Sequence, residues 1–163
     1  MNEWHQSQRG YFAGALLEQM KVNDKIFVVT GDLGFGQFDK IRDQFPNRFI
    51  NVGAAEQAAL GVAVGLALEG KIPFVYTITS FYLRAAETLS LYVSGEQVPV
   101  RLVGGGRDGD YAHDGPSHHA GVVQSFITHL DIKEYYPEDK EDVPALVDKM
   151  VNSDKPSFIS LRR

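Results

Sequence analysis

Two groups of polar residues in this sequence are suited to chemistry. The first is Glu56, an acidic residue at the start of a segment of small and apolar residues, 55–69. One interpretation is an ordinary first-turn carboxylate that interacts favourably with the helix dipole. The other is a carboxyl group buried at an interface, where it suits proton exchange. The residues alone leave both interpretations open.

The second group is the loop 113–119, with the sequence HDGPSHH, which contains three histidines and an aspartate. His118 is a candidate for proton transfer, because imidazole titrates near neutral pH. The same residues could bind zinc, or form a turn whose polar side chains satisfy each other. A weaker candidate is the glycine run 104–106 with Arg107, which could form an anion-binding turn.

Composition limits the classes of protein to consider. The 163 residues predict one domain, 1–163, and the 44% apolar content is enough for one core. The net charge of −5 argues against nucleic-acid binding, and the absence of cysteine excludes disulfides and thiolate metal sites. No long apolar run predicts a membrane span. The polar segment 1–10 lacks the features of a signal peptide, so we expect a cytoplasmic protein.

Alternating helical and strand patterns predict how the candidate residues are positioned. We predict helices over 8–21, 37–45, 55–69, 81–93, 119–128 and 139–152, and strands over 26–29, 49–50, 73–77, 98–103, 132–135 and 157–161. This alternation favours an α/β three-layer sandwich around a mostly parallel sheet of about six strands. Ligands in such sheets bind at the carboxyl ends of the strands.

Four motifs in order resemble one family. The segment 51–81, NVGAAEQAALGVAVGLALEGKIPFVYTITSF, resembles the transketolase and 1-deoxyxylulose-5-phosphate synthase pattern, in which G-x-x-E-Q/H precedes a small-residue helix, a strand and a T/S-F pair. GDL at 31–33, the loop 113–119 and PSFISLRR at 156–163 match further parts of that pattern. The resemblance covers essentially the whole chain and implies the pyrimidine-binding module of the thiamine-diphosphate-binding fold.

The resemblance implies roles for four residues at the cofactor. Glu56 would contact N1′ of the aminopyrimidine ring of thiamine diphosphate and favour the imino tautomer that removes the C2 proton. Phe81 would stack on that ring. Asp32, in the GDL segment, and Tyr82, beside Phe81, are also expected to bind the cofactor.

Four residues are expected to face the substrate. Asp114 and His118 match family positions that stabilise substrate hydroxyls and developing charge, and both are candidate catalytic residues. Arg84 stands where deoxyxylulose-phosphate synthases also carry arginine, and it could bind a substrate anion or be a solvated surface charge. Arg163 matches the terminal arginine of the transketolase phosphate site.

Two positions depart from the transketolase pattern. Gly106 and Gly36 stand where transketolases place a histidine and a serine for substrate phosphate. The substrate is therefore not necessarily an ordinary sugar phosphate.

The resemblance also implies a second chain. The family holds Mg²⁺ and the diphosphate in a different domain, marked by G-D-G and a later asparagine, and this sequence lacks that pattern. We expect no metal site here, and a partner subunit that carries the diphosphate domain and Mg²⁺. The helix 55–69 is expected to pair with its own copy in an α₂β₂-like assembly.

These expectations define the predicted function. The chain would be the small subunit of a split transketolase-like transferase that moves a two-carbon ketol or acyl unit between carbonyl or sugar substrates. One alternative is a subunit of a decarboxylating enzyme, similar to the deoxyxylulose-phosphate synthases or the beta subunits of 2-oxoacid dehydrogenases. The other is a non-catalytic domain that only binds a partner.

Overall fold

A six-stranded parallel sheet forms the centre of the computed structural model, which describes residues 6–163. Residues 1–5, part of the segment in which we expect no signal peptide, lie outside the described residues. The strands are β1 (Ile26–Thr30), β2 (Phe49–Asn51), β3 (Ile72–Ile78), β4 (Arg101–Gly105), β5 (Lys133–Tyr135) and β6 (Ser157–Leu161). Their order in the sheet is β2-β1-β3-β4-β6-β5, and each pairing is parallel.

The helices cover both faces of this sheet. They are α1 (Gln8–Val22), α2 (Asp39–Gln44), α3 (Glu56–Leu68), α4 (Ala86–Thr88), α5 (Gly121–Ile127) and α6 (Val143–Val151). Helix α1 begins where the Ser7 side chain accepts a hydrogen bond from the amide of Gly10, at 3.2 Å. Helix α3 is followed by Gly70, whose φ of +73° suits a helix stop. Within residues 6–163, no helix combines the length and the apolar character needed to cross a membrane.

Two separate apolar cores define three layers. On one face, α1 and α6 pack on alternate strand residues such as Val28 and Phe74. On the other face, α3, α5 and the segment after β3 pack on the intervening residues, among them Val29 and Val75. The alternation follows from the pleat, which points successive side chains to opposite faces. The α/β three-layer prediction is therefore confirmed.

The segment expected to be a single helix over 81–93 has a different structure. A 3₁₀ helix spans Thr79–Ala85, the short α4 follows, and a π-helical segment spans Leu89–Gly95. The segment is helical as predicted, but an apolar period of three to four residues does not distinguish these helix types.

The end of β4 also differs from the prediction. The predicted strand ended at residue 103, but Gly104 and Gly105 also belong to β4. A Cβ at Gly104 would lie 2.4 Å from Thr79 Oγ1 and 2.9 Å from the Phe158 ring. The glycine therefore permits close packing inside the sheet, which a sequence pattern cannot distinguish from a breaker.

Candidate functional site

Glu56 is the first residue of α3 and lies at the carboxyl edge of the sheet. Its side chain is almost buried, with 8% exposed. It nevertheless borders an open depression of about 560 Å³, lined by Ala55, Glu56, Gln57, Ala58 and Arg84. This carboxylate is thus removed from most of the solvent but stays accessible from one side.

Arg84 contacts two of the predicted site residues at once. Its Nη1 donates to Glu56 Oε1 at 3.1 Å. Its guanidinium carbon lies 4.0 Å from the centroid of the Phe81 ring, a cation–π distance. Phe81 and Arg84 are three residues apart in the 3₁₀ helix Thr79–Ala85, where side chains at i and i+3 eclipse. The local helix type therefore stacks the arginine on the phenylalanine.

His118 extends this cluster from the loop 113–119. Its ring lies edge-on to Phe81, with centroids 5.0 Å apart. The Ser117 hydroxyl lies 3.1 Å from His118 Nδ1, and the Tyr111 ring centroid lies 6.3 Å away. Four of the predicted residues, Glu56, Arg84, Phe81 and His118, are therefore joined by consecutive contacts.

Asp114 lies in the same loop, but its contact is with another loop residue. Its Oδ2 lies 3.4 Å from Nε2 of His113, and both side chains are well exposed. Across residues 6–163, no three His, Asp or Glu side chains are grouped to hold a metal ion, so the zinc alternative gains no support.

Asp32 is held at the end of β1 through Asn51. The Asp32 amide donates to Asn51 Oδ1 at 2.9 Å, and Asn51 Nδ2 donates to Asp32 Oδ1 at 3.3 Å. Asn51 Oδ1 also accepts from the amide of Gly53, at 3.0 Å. Asn51 thus ties together the ends of β1 and β2 directly before Glu56. Sequence reasoning missed it, although its signal was an asparagine placed at a strand end before a glycine.

Tyr82 has no exposed surface, although it is adjacent to Phe81. Its hydroxyl donates to the carbonyl of Val75 at 2.7 Å and accepts from the amide of Val103 at 2.9 Å. Burial raises the pKa of this phenol well above its usual range. The tyrosine joins β3 to β4 inside the core, so the structure does not support the predicted cofactor contact.

A second cavity, of about 260 Å³, lies at the same edge of the sheet. Arg9 Nη1 donates to the Tyr111 hydroxyl at 2.6 Å, and both residues line the cavity together with Tyr76. The Arg163 guanidinium carbon lies 5.9 Å from the centroid of the Tyr111 ring. The Arg163 amide donates to Asp110 Oδ2 at 2.5 Å. Sequence reasoning missed Arg9 and Tyr111; only the position of Tyr111, two residues before the loop, was a signal.

The glycine turn before Arg107 does not offer free amides to an anion. The amides of Gly106 and Arg107 both donate to the carbonyl of Leu161, at 3.0 and 3.2 Å. Arg107 is buried and donates from Nη2 to the carbonyl of Pro137 at 2.5 Å. Its burial, and secondarily the charge of Arg162, lower its pKa. Because both amides already donate to a carbonyl of β6, they are not available to an anion, and the anion-binding alternative is not supported.

The family model for the transketolase pyrimidine binding domain matches residues 5–163. A 1-deoxy-D-xylulose-5-phosphate synthase of Geobacter sulfurreducens is 33% identical over 160 residues, which are 96% of this chain and 24% of the relative. One from Nitratidesulfovibrio vulgaris is 30% identical over 154 residues, covering 93% of this chain and 24% of the relative. The chain thus spans about a quarter of the length of these curated relatives.

Solved structures agree with the sequence relatives. A structure described as "Split gene transketolase, inactive beta4 tetramer" has a TM-score of 0.84 and 31% identity, over 96% of this chain and 51% of that chain. The transketolase of Campylobacter jejuni has the same TM-score of 0.84 at 18% identity, over 96% of this chain and 26% of that chain, which shows the shared fold. The family model matches nearly the whole chain, and the fold agrees with that of the split gene transketolase structure. This chain therefore belongs to the transketolase pyrimidine-binding domain family.

Proposed function

We propose that this chain is the small subunit of a split, thiamine-diphosphate-dependent transketolase-like enzyme that transfers a two-carbon unit between carbonyl or sugar substrates. The observation that carries the proposal is Glu56, a nearly buried carboxylate at the mouth of an open depression, beside the Phe81–Arg84 pair.

The residues present fit an aminopyrimidine ring. Glu56 offers a nearly buried carboxylate, reached from the open depression, to share a proton with a ring nitrogen. Phe81 offers a partly exposed aromatic face at the same edge of the sheet. When bound, thiamine diphosphate supplies the carbon nucleophile for the transfer. This chain contributes the acid that activates the ring and the surface that orients it.

The loop 113–119 is proposed to act on the substrate. His118 is partly exposed and packs edge-on against Phe81, so its imidazole lies next to the proposed cofactor surface. The imidazole is proposed to exchange protons with substrate hydroxyls. Asp114, on the same loop, is proposed to bind those hydroxyls, and Arg163 is proposed to bind a substrate anion. Asp32 is proposed to line the cofactor site from the end of β1.

A partner subunit is proposed to complete the site. The depression at Glu56 is open to solvent, so this chain alone forms only one wall of it. The partner would hold the diphosphate and Mg²⁺. The relative described as a split gene transketolase in an inactive beta4 tetramer supports a division of this enzyme type between two chains.

Self-association through α3 is the second assembly proposal. The outer face of this helix exposes small and apolar residues, among them Gly61, Val62 and Leu68, with Leu68 69% exposed. A Cβ added at Gly61 would meet no atom within 4 Å in this chain. Small residues let a second helix approach closely, so the face fits a copy of itself.

Gly61→Leu tests the self-association. The side chain has room in the single chain but would separate two closely packed helices, so we expect a shift toward monomer by analytical ultracentrifugation. Gly14→Ala in α1, which also has open space around it, is the control. An unchanged association constant in Gly61→Leu would show that α3 is not the contact.

Glu56→Gln in the reconstituted complex tests the proposed function. The amide keeps the shape but cannot share a proton, so we expect kcat for two-carbon transfer to fall by about 100-fold or more. The control is Glu69→Gln, an exposed glutamate at the other end of the same helix. Near-normal turnover in Glu56→Gln would remove Glu56 from the mechanism and favour the non-catalytic alternative.

A decarboxylating enzyme is the second candidate, favoured by the 30–33% identity to 1-deoxy-D-xylulose-5-phosphate synthases. Arg84 is consistent with this candidate, because the resemblance implies that deoxyxylulose-phosphate synthases also carry arginine at this position. The reconstituted complex is tested with pyruvate. Release of CO₂ would identify the decarboxylating reaction, and transfer from a ketose without CO₂ would identify a transketolase reaction.

A further inference from the structure

One arginine occupies both groups that the proposed site offers to an aminopyrimidine. The guanidinium of Arg84 binds the Glu56 carboxylate at 3.1 Å and lies 4.0 Å from the Phe81 ring centroid. An aminopyrimidine that shares a proton with Glu56 and stacks on Phe81 needs the same carboxylate and the same aromatic ring. The guanidinium is itself a planar, hydrogen-bonding group, so it satisfies these two partners in a similar way.

The contacts of Arg84 are suited to being broken. Its side chain is 51% exposed, whereas Glu56 is 8% exposed. Ion pairs and cation–π contacts with an exposed partner are weak, because water screens the charge and the long side chain keeps its freedom. A buried arginine of this chain shows the contrast: Arg101 is 2% exposed and donates to the backbone carbonyl of Met150 at 3.0 Å. Arg84 has side-chain partners and an open path to solvent.

We propose that Arg84 is a positioning residue that holds Glu56 and Phe81 in the free subunit and competes with the aminopyrimidine for them. The inference rests on the proposed function. It has two consequences for the free chain. The carboxylate stays paired and the aromatic face stays covered until a ligand arrives. The ligand must then displace the guanidinium, which lowers its affinity for a subunit that lacks its partner.

The competition is tested by titrating the full 163-residue chain with thiamine, followed by NMR and isothermal titration calorimetry. Thiamine lacks the diphosphate, so its binding does not require the partner's half of the site. We expect Arg84→Ala to bind thiamine about tenfold more tightly than the unmodified chain, and Arg84→Lys to lie between them because an ammonium cannot stack as a plane. In the unmodified chain, the Arg84 Nε–H resonance should lose its ring-current shift as thiamine binds.

Two controls assign any gain to this site. Arg42→Ala removes another exposed arginine with ion pairs, to Asp39 and Asp43, and should leave thiamine affinity unchanged. Adding Glu56→Gln to Arg84→Ala should remove the gain.

The outcomes separate this inference from the proposed function. Equal or weaker thiamine binding by Arg84→Ala, or no saturable binding by either chain, overturns the competition. An unmoved Arg84 resonance on binding also overturns it. The role of Glu56 in the assembled enzyme is tested independently, by the kcat of Glu56→Gln in the reconstituted complex.

Discussion

The 3₁₀ helix Thr79–Ala85 separates two regions with opposite roles. On its inner side, Thr79, Tyr82 and Ala85 are each at most 2% exposed. On its outer side, Phe81 and Arg84 stack on each other and face Glu56 and His118. The residues of each set are three apart, because side chains eclipse at that interval in a 3₁₀ helix.

Adjacent residues of this helix have different surroundings. The inner side is fixed by hydrogen bonds to strand backbone: Tyr82 bonds with Val75 and Val103, and the Thr79 hydroxyl donates to the carbonyl of Gly105 at 3.1 Å. The outer side has side-chain contacts that solvent reaches. The inner side is therefore bonded to the sheet backbone, whereas the outer side contacts only side chains.

Tyr82 should account for the largest effect on stability. Tyr82→Ala removes a fully buried ring and leaves the two strand groups unsatisfied, so we expect about 3–5 kcal/mol lost from the free energy of unfolding. Phe81→Ala, on the outer side, should cost less than about 1.5 kcal/mol. Urea unfolding measures both. Tyr82→Phe, which keeps the ring, should lie between them, and similar losses at positions 81 and 82 would contradict the two-sided description.

Alkaline pH should act on the core. Burial raises the pKa of Tyr76 from 10.0 to about 12, although the nearby Arg9 opposes the rise. The unfolded chain then loses this proton first, so the stabilisation is complete below pH 10 and is lost as pH rises toward 12. This loss amounts to at most about 2–3 kcal/mol of the free energy of unfolding, and it should be absent in Tyr76→Phe. Unfolding midpoints at pH 9 and pH 12 check it; an identical pH dependence in the variant would assign the effect elsewhere.

Gly104→Ala tests how closely the inner side packs on the sheet. The new methyl group would lie 2.4 Å from Thr79 Oγ1, so the 3₁₀ helix must shift. We expect about 2 kcal/mol of destabilisation in thermal unfolding. Gly14→Ala in α1, with open space, should be neutral or stabilising. An unchanged thermal stability in Gly104→Ala would show that the 3₁₀ helix shifts away from the new methyl group at little cost.

Arg84→Ala should have the smallest effect on stability. Arg84 is itself 51% exposed, so water screens its contacts with Glu56 and Phe81, and we expect less than about 1 kcal/mol. Arg42→Ala, another exposed ion-paired arginine, should behave alike. A loss of several kcal/mol in urea unfolding would mean that Arg84 supports the fold and does not merely hold the site.

The candidate site was predictable where a motif resembled the family and unpredictable where packing decided. Glu56, Phe81, Arg84 and His118 were named from the sequence, and contacts join them. Tyr82 was also named, but its ring points into the core. Asn51, Arg9 and Tyr111 were missed, because each contacts residues distant in the chain.

The sequence by itself determined the parallel α/β fold, since apolar runs alternate with helical patterns, and it located the acid, the aromatic ring and the histidine loop in order along the chain. Only the tertiary structure decided which side each residue faces. A 3₁₀ helix in place of an α-helix after β3 puts Phe81 and Arg84 together at 4.0 Å and turns Tyr82 inward. The apolar pattern is similar for both helix types, and packing against β3 and β4 selects between them.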